Sequence, residues 1–280
     1  MRRRFRVFPP LYLLFGLVLV FMAAPLVIVV VNSFNKSPYS RWPPEGFSTE
    51  WFGTVFHHHP FYTGLYNSLK VGAGATVIAL VLGSMAAYAL TRYRIRGRRV
   101  IETGYFAPLT VPRVAIGFAL FALYITWHTN LYGTIRGLII AHVLLVLPFV
   151  VAIFVSTMGS IDPVYEEAAR DLGAGRVRTF VKVTLPQMQT GLVVAALFAF
   201  ITSFDELEMS IFLVRPQTDT LPVTMFLYLE QEQTPALAAL STLLIAITLG
   251  LVLLALPLML RGAWQRYLPG RAPAATVEAT

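Results

Sequence analysis

The sequence contains no cysteine, and this absence excludes several kinds of site. Disulfide bonds, thiolate metal centres, iron–sulfur clusters and cysteine nucleophiles all need a thiol. Lysine is scarce as well, since Lys36, Lys70 and Lys182 are its only occurrences. None of them follows a glycine, so the sequence has no G-x-x-x-x-G-K-[ST] phosphate loop for binding and hydrolysing ATP.

Charged residues are also few. They make up 13% of the 280 residues, and 56% of the residues are hydrophobic, whereas a soluble domain carries about 25% charged side chains. This composition excludes an ordinary soluble enzyme. The formal net charge of +8 does not indicate a nucleic-acid partner, because the arginines lie in short clusters between long uncharged runs. That distribution is typical of the cytoplasmic loops of a membrane protein.

Six apolar stretches are long enough to cross a bilayer, for which a helix needs about 20 residues. The sequence therefore predicts an all-α membrane protein with six transmembrane helices, over residues 7–35, 71–91, 114–135, 137–161, 183–204 and 233–260. We expect the third helix to start earlier, near Gly104, with Arg113 inside it, and to be kinked or broken at Pro108 and Pro112. We expect the fifth to continue past Phe204 to Leu213.

The positive residues predict the orientation of these helices. If the N-terminus is cytoplasmic, 16 lysines and arginines lie on inner segments, and only Lys36, Arg41, Arg136 and Arg215 lie on outer ones. This asymmetry predicts that both termini are cytoplasmic. We expect 1–66 to hold the first helix and an outer loop, with Asn67 and Ser68 capping the next helix. Residues 67–260 then form the main transmembrane domain, and 261–280 a disordered cytoplasmic tail.

The inner loop at about 156–189 is expected to contain two short helices. Asp162 and Pro163 are typical of a helix start, and Gly173 is typical of a helix end. Between them, Val164, Ala168 and Leu172 fall at i, i+4 and i+8 and form one apolar face. Glu166 and Arg170 form a favourable i,i+4 pair. A second helix starts near Arg176, and Leu185-Pro186 ends it.

The loop also contains a specific motif. Glu167-Ala168-Ala169, Gly173 four residues after the second alanine, and Val183-x-Leu185-Pro186 resemble the EAA signature loop of permease subunits of bacterial ABC importers, with valine where isoleucine is common. The resemblance implies a type I ABC importer permease fold. It also implies a coupling helix in which the motif residues contact a separate cytoplasmic ATPase: Glu167, Ala168, Ala169, Gly173, Leu185 and Pro186. ATP and Mg²⁺ would be bound by that partner, so no cofactor is expected in this chain, which is not itself an enzyme. The alternative is an amphipathic helix on the inner leaflet.

Acidic residues at membrane depth form the second candidate site. Asp205, Glu206 and Glu208 follow the fifth apolar stretch, and ionisable groups there normally face a bundle interior or a water-filled path. On a continuous helix Asp205 and Glu208 share a face. One interpretation is a carboxylate lining for a cationic solute. The alternatives are pairing with Arg113, or a helix that ends before Asp205 and leaves the acids in a wet vestibule.

A subgroup resemblance covers about 67–260. Ser203-Phe204-Asp205-Glu206, Phe212-Leu213, Thr220-Leu221-Pro222 and the run 235–244 are similar to the second permease subunit of spermidine/putrescine-type importers. The resemblance implies a polyamine or related organic amine as cargo, with iron(III), phosphonate or amino-acid-like solutes as alternatives. It implies a bacterial inner-membrane location, contact with membrane lipid and several protein partners: a second, non-identical permease subunit, two ATPase subunits and an extracytoplasmic solute-binding protein, with no nucleic acid.

Two rival functions and a metal site are less consistent with these residues. An ion-coupled secondary transporter or channel would use Asp205 and Glu206 to carry protons or cations, but it leaves the EAA motif unexplained. A membrane-embedded hydrolase would need a Ser/His/Asp grouping at membrane depth, and the sequence has none there. The run 57–59, His128 and His142 have no metal-ligand companions at helical spacing, so we expect surface or packing roles and no metal site.

Overall fold

The computed structural model describes residues 9–39 and 42–267. This part of the chain is helical, apart from an isolated antiparallel bridge between Asn35 and Phe47. Its contacts divide the chain into two units, one formed by His58–Gln231 and the other by Met1–His57 with Glu232–Thr280. The arginines expected to anchor the N-terminus, together with Arg41 and 268–280, lie outside the described residues.

The terminal unit contains α1 (Pro9–Asn32), α2 (Glu50–His57) and α12 (Ala236–Tyr267). Helix α12 packs against both α1 and α2. The apolar side chains of α1 are largely exposed, as expected of a helix that faces lipid. Helix α12 continues to Tyr267, into the segment where we expect a disordered tail.

The other unit is built on three helices: α3 (His59–Arg92), α6 (Ile135–Gly159) and α10 (Gln189–Phe204), each of which packs against the other two. Small residues allow these helices to approach closely. A Cβ atom on Gly83 of α3, for example, would lie 2.7 Å from Cγ1 of Val150 on α6. Buried aliphatic and aromatic side chains of α6, including Val146 and Phe154, fill the centre of this unit.

The third apolar segment is broken. Helices α4 (Arg98–Thr110) and α5 (Arg113–Thr126) meet at an angle of 98° across Val111 and Pro112. Proline has no backbone N–H and disfavours the helical conformation of the residue before it, and Val111 is accordingly extended, with a ψ of 135°. The expected break at Pro112 is confirmed, whereas the expectation that Arg113 lies inside the helix is wrong. Arg113 is the first residue of α5.

The fifth apolar segment ends earlier than expected at its C-terminal end and is bent at its N-terminal end. Helix α10 ends at Phe204, so the expected continuation to Leu213 is wrong, and a 3₁₀ turn at Ser210–Phe212 follows the break. Before α10 come α7 (Val164–Asp171), α8 (Arg176–Thr179), a π-helical turn (Phe180–Thr184) and α9 (Leu185–Gln187). The segment Arg176–Gln187 meets α10 at 80°.

Three helices in the described part of the chain are long and apolar enough to cross a membrane, namely Tyr12–Asn32, His59–Arg92 and Ile135–Gly159. If each bent pair is one span, the number rises to five. Helix α12 adds a shorter apolar stretch over Ala236–Gly250. The number of six spans and the cytoplasmic location of both termini stay predictions.

Asn67 and Ser68 have a different role from the one expected. Helix α3 starts at His59, so both residues lie inside it, and the expectation that they cap it is wrong. The Asn67 amide donates to the carbonyl oxygens of Gln217 and Asp219, at 2.9 and 3.0 Å. The Ser68 hydroxyl accepts the N–H of Leu221 at 2.8 Å. Leu221 begins α11 (Leu221–Gln231), so the two polar residues support the start of a different helix.

Candidate functional site

Helix α7 carries the EAA motif, and local hydrogen bonds define its two ends. The Asp162 carboxylate accepts the N–H of Val164 at 3.0 Å, so Asp162 begins the helix as expected. At the other end Gly173 has a φ of +85°, and its N–H donates to the Arg170 carbonyl at 2.8 Å. Open space surrounds the Gly173 Cα, so backbone conformation alone requires glycine there.

One side of α7 is anchored by Glu166, whose side chain is 2% exposed. Its Oε1 accepts hydrogen bonds from Arg92 Nε and from Thr184 Oγ1, both at 3.0 Å. Its Oε2 lies 3.5 Å from Nη2 of Arg170, the i,i+4 pair expected from the sequence. The carboxylate therefore ties α7 to the end of α3 and to the π-helical turn.

The same two arginines make further contacts around this anchor. Arg92 donates through Nη2 to the carbonyl of Ile161 at 3.2 Å, just before α7. Arg170 donates to the Tyr88 hydroxyl at 2.9 Å, and the Tyr88 ring packs edge-on against Phe180 at 5.6 Å between centroids. The side of the loop that carries Glu166 is thus fixed to α3 by charge-assisted hydrogen bonds and by aromatic packing.

The other side of α7 is open. Glu167, Ala168 and Gly173 are exposed, and Ala169 is half-buried. The apolar face expected at Val164, Ala168 and Leu172 does not pack against the chain, and Leu172 is 91% exposed. Val177 on α8 is 78% exposed. Large apolar side chains this exposed are typical of residues that contact a partner or the membrane.

The end of the motif lies inside a helix. We expected Leu185-Pro186 to end the second short helix, but both residues belong to α9, with Leu185 half-buried and Pro186 exposed. Residues 176–187 form one uninterrupted helical run, in which Pro186 directly follows the π-helical turn and stands next to the last residue. The break comes two residues later, at the buried Met188.

The second candidate site is the break after α10. The side chain of Glu206 is fully buried, and its Oε2 accepts a hydrogen bond from Arg113 Nη1 at 2.9 Å. Its Oε1 accepts the N–H of Met209 at 2.8 Å. The pairing with Arg113 is therefore present, and the helix ends before Asp205, but Glu206 is buried and does not lie in a wet vestibule.

Asp205 and Glu208 flank Glu206 and are exposed. Neither carboxylate makes a hydrogen bond or an ion pair within the described part of the chain. The helix has ended at Phe204, so the argument that these two residues share a helical face does not apply. The guanidinium of Arg113 is partly exposed, which places one cationic and two anionic side chains at the surface of the break.

His142 is a residue whose contacts sequence reasoning missed. It is fully buried on α6, with Nδ1 2.7 Å from Ser203 Oγ and Nε2 2.9 Å from Ser210 Oγ. The two serines lie far from His142 in sequence, so no local spacing indicates this contact. Among residues 9–39 and 42–267, no group of three or more His, Cys, Asp and Glu side chains could hold a metal ion.

Comparison with known proteins gives relatives along most of the chain. The spermidine/putrescine transport system permease protein PotC of Haemophilus influenzae is 31% identical over 235 residues, which are 84% of this chain and 90% of the relative. The putrescine transport system permease protein PotI of Escherichia coli K12 is 33% identical over 253 residues, 88% and 89% of the two chains. A putative 2-aminoethylphosphonate transport system permease protein of Salmonella paratyphi A is 27% identical over 237 residues, 85% and 89%.

Two solved structures have a similar fold. A bacterial ABC transporter involved in the import of the acidic polysaccharide alginate contains a chain that matches with a TM-score of 0.68 at 19% identity, covering 92% of this chain and 95% of that one. The alginate transporter in complex with an alginate pentasaccharide-bound periplasmic protein gives a TM-score of 0.66 at 17% identity, covering 87% and 92%.

A family model fits the same region. Residues 79–265, more than half of the chain, match the family described as binding-protein-dependent transport system inner membrane component. Members are multi-pass permeases of ABC importers in the inner membrane, and the similar permease proteins above agree with that description. The chain belongs to this family of inner-membrane permease components.

Proposed function

We propose that the chain, with a second and non-identical permease subunit, encloses the translocation path of an ATP-driven importer. Two cytoplasmic ATPase subunits and an extracytoplasmic solute-binding protein complete the transporter, and the chain has six spans with both termini in the cytoplasm. Its family is named for binding-protein dependence, and one structure of similar fold is a complex with a periplasmic protein. Membership of that family does not favour a transporter driven by an ion gradient.

The observation that carries this proposal is that one side of α7 is buried against the chain and the other side is exposed. Glu166 is buried and bonded to α3, while Glu167, Ala168 and Gly173 are exposed on a surface shared with Leu172. Small side chains let a partner approach the helix closely, and full burial of a leucine side chain is worth about 1.5–3 kcal/mol. We propose that the ATPase binds this surface.

Movement of the ATPase would then be transmitted to the membrane-spanning helices through two connections. The first is the Glu166–Arg92 pair, which joins α7 to the end of α3. The second is the covalent connection through α8 and α9 into α10. Closure of the ATPases on ATP would displace α7, and these connections would carry the displacement to the helices that line the path, giving alternating access.

The lack of cysteine makes a direct test simple. A single Ala168→Cys substitution, labelled with a photoactivatable maleimide in membranes holding the whole transporter, should give a cross-linked product with the ATPase subunit. Glu230→Cys, at an exposed position of α11, is the matched control and should give none. Products with lipid alone at position 168 would overturn the docking proposal and favour an amphipathic helix on the inner leaflet.

For the cargo, we propose a polyamine or a related organic amine. Two permeases at 31% and 33% identity are named for spermidine and putrescine transport. The exposed carboxylates of Asp205 and Glu208 are suited to a cation, and we propose that they, with Arg113 and Glu206, lie on the translocation path. Iron(III), phosphonate and amino-acid-like solutes are the alternatives.

Uptake into proteoliposomes that hold the whole transporter and its binding protein tests the cargo. Labelled putrescine or spermidine should accumulate only with ATP inside the vesicles, and unlabelled polyamine should compete. Competition by 2-aminoethylphosphonate, iron(III) or an amino acid instead would reject the amine and identify the alternative. Uptake driven by an ion gradient without ATP would reject the ATP-driven mechanism.

A further inference from the structure

We propose that His142 is a positioning residue that sets the conformation of the break after α10. The break is the segment between Phe204 and Ser210, and by holding it His142 also sets the positions of the Glu206 and Arg113 side chains. The inference rests on the proposed function only in giving the break a part in transport. The conformational claim depends on contacts that join α5, α6 and α10 at one point.

The imidazole of His142 lies between two hydroxyl groups on opposite sides of the break. Nδ1 is 2.7 Å from Oγ of Ser203, in the last turn of α10, and Nε2 is 2.9 Å from Oγ of Ser210, where the 3₁₀ turn begins. A neutral imidazole offers one N–H donor and one acceptor nitrogen. One hydroxyl therefore donates to the ring and the other accepts from it, so a single rigid ring fixes the separation of the two ends.

The segment between the two serines is held from a second direction by Glu206. Its carboxylate accepts the N–H of Met209 within the break and a hydrogen bond from Arg113 at the start of α5. Helix α5 also packs closely against the backbone of the break. A Cβ atom on Gly117 would lie 2.8 Å from the carbonyl oxygen of Met209 and 2.9 Å from its Cα. The backbone of the break has little room to shift toward α5.

These contacts surround the irregular backbone of the break with protein. Unsatisfied polar groups are expensive where lipid excludes water, and the N–H groups of Asp205 and Glu206 close the end of α10 by donating to the carbonyls of Ile201 and Ser203. Irregular backbone is tolerated at such depth only when protein surrounds it or it lines a cavity. Loss of the His142 ring would leave two buried hydroxyls without this partner and would free the ends of the break. The exposed side chain of Asp205, two residues from Ser203, would then change its surroundings.

A thiol reporter at position 205 tests this inference. The purified transporter, without ATP or binding protein, would carry Asp205→Cys alone or together with His142→Leu, and the rate of maleimide labelling would be measured. We expect the rate to change about tenfold or more, the factor that corresponds to losing one buried hydrogen bond. Glu230→Cys on α11 should be labelled at the same rate in both backgrounds. An unchanged rate at position 205 would overturn the positioning role.

Two further variants separate positioning from general loss of structure. Gly117→Ala pushes on Met209 from α5 with His142 intact, so it should also change the labelling rate at position 205. His142→Gln keeps one nitrogen or oxygen able to bond a serine and should fall between the parent and His142→Leu. If His142→Leu does not assemble, these two variants decide the matter by the same measurement.

Uptake by the same variants, measured with residue 205 left as Asp, reports on the proposed function separately. A changed labelling rate with reduced uptake supports both the positioning role and the place of the break on the path. A changed labelling rate with full uptake keeps the positioning role and overturns the assignment of the break to translocation.

Discussion

Glu166→Gln is the sharpest test of how the loop at about 156–189, named the coupling loop for its proposed function, is held. The substitution keeps the size of the side chain and removes the charge that Arg92 and Arg170 share. Breaking a buried ion pair by removing one partner costs about 3–5 kcal/mol. Arg92 is 12% exposed and Arg170 is 42% exposed, so water compensates part of the loss. Because exposed pairs contribute about 0–1 kcal/mol, we expect a net effect of about 2–3 kcal/mol.

An effect of about 2–3 kcal/mol changes the equilibrium between an attached and a detached loop by about 30- to 150-fold. The docking surface itself is unchanged, so the ATPase should still co-purify with the permease. Displacement of the ATPase should no longer reach α3 through Arg92. We therefore expect ATP hydrolysis that is no longer coupled to uptake.

The assay compares ATP hydrolysis with uptake in proteoliposomes holding the parent transporter, the Glu166→Gln variant or the Glu230→Gln variant. Glu230→Gln removes a charge from an exposed glutamate on α11 and should match the parent. An Arg92→Gln variant should resemble Glu166→Gln, and combining the two should add little, since both remove the same pair. Full uptake per ATP hydrolysed in Glu166→Gln would refute the anchoring role.

Three other predictions concern the motif, the break and the helix packing. Gly173→Val places a branched residue at a φ of +85°, which costs about 1–2 kcal/mol, and should abolish uptake with normal membrane insertion; retained uptake would contradict the need for this turn. Asp205→Asn should lower the uptake rate of a cationic amine severalfold, whereas equal rates would remove the residue from the path. In Gly191→Ala the new Cβ would overlap Thr157 Oγ1, so the thermal unfolding midpoint of the purified permease should fall, and an unchanged midpoint would contradict the packing of α10 on α6.

The parts of the coupling loop that the sequence predicts correctly depend on local interactions. The start of α7 is one hydrogen bond between Asp162 and Val164, two residues apart. Its end needs a positive φ, which glycine adopts most easily, and Gly173 has it. Such signals lie within a few residues of the feature they define, so they can be read from a single sequence.

The buried anchor is not readable in the same way. Glu166 and Glu167 are adjacent and chemically identical, and the apolar spacing does not say which of them faces the protein. The structure buries Glu166 because Arg92, 74 positions earlier, ends α3 beside it. The apolar face expected at Val164, Ala168 and Leu172 is exposed, and the spacing of these residues does not indicate that either.

The break after Phe204 is a second case in which distant contacts decide. The apolar run continues to Leu213 with only the acidic cluster to interrupt it, so hydropathy favours a longer helix. Arg113 from α5 and His142 from α6 supply the hydrogen bonds that stabilise the end of the helix instead. Pro112 was a better guide, because its effect on Val111 is a local one.

Helix α10 connects the two candidate sites. It follows α9 of the coupling loop after Met188 and ends one residue before Asp205, and its 16 residues span about 24 Å. A helix of this length moves as a rigid body, so a displacement at one end must be absorbed at its ends. At one end the 80° bend at the buried Met188 offers a hinge, whereas at the other the ring of His142 resists a change in separation. A displacement of α7 would therefore be absorbed by rotation at Met188, and the break would move only together with α5 and α6, to which Arg113 and His142 bond it.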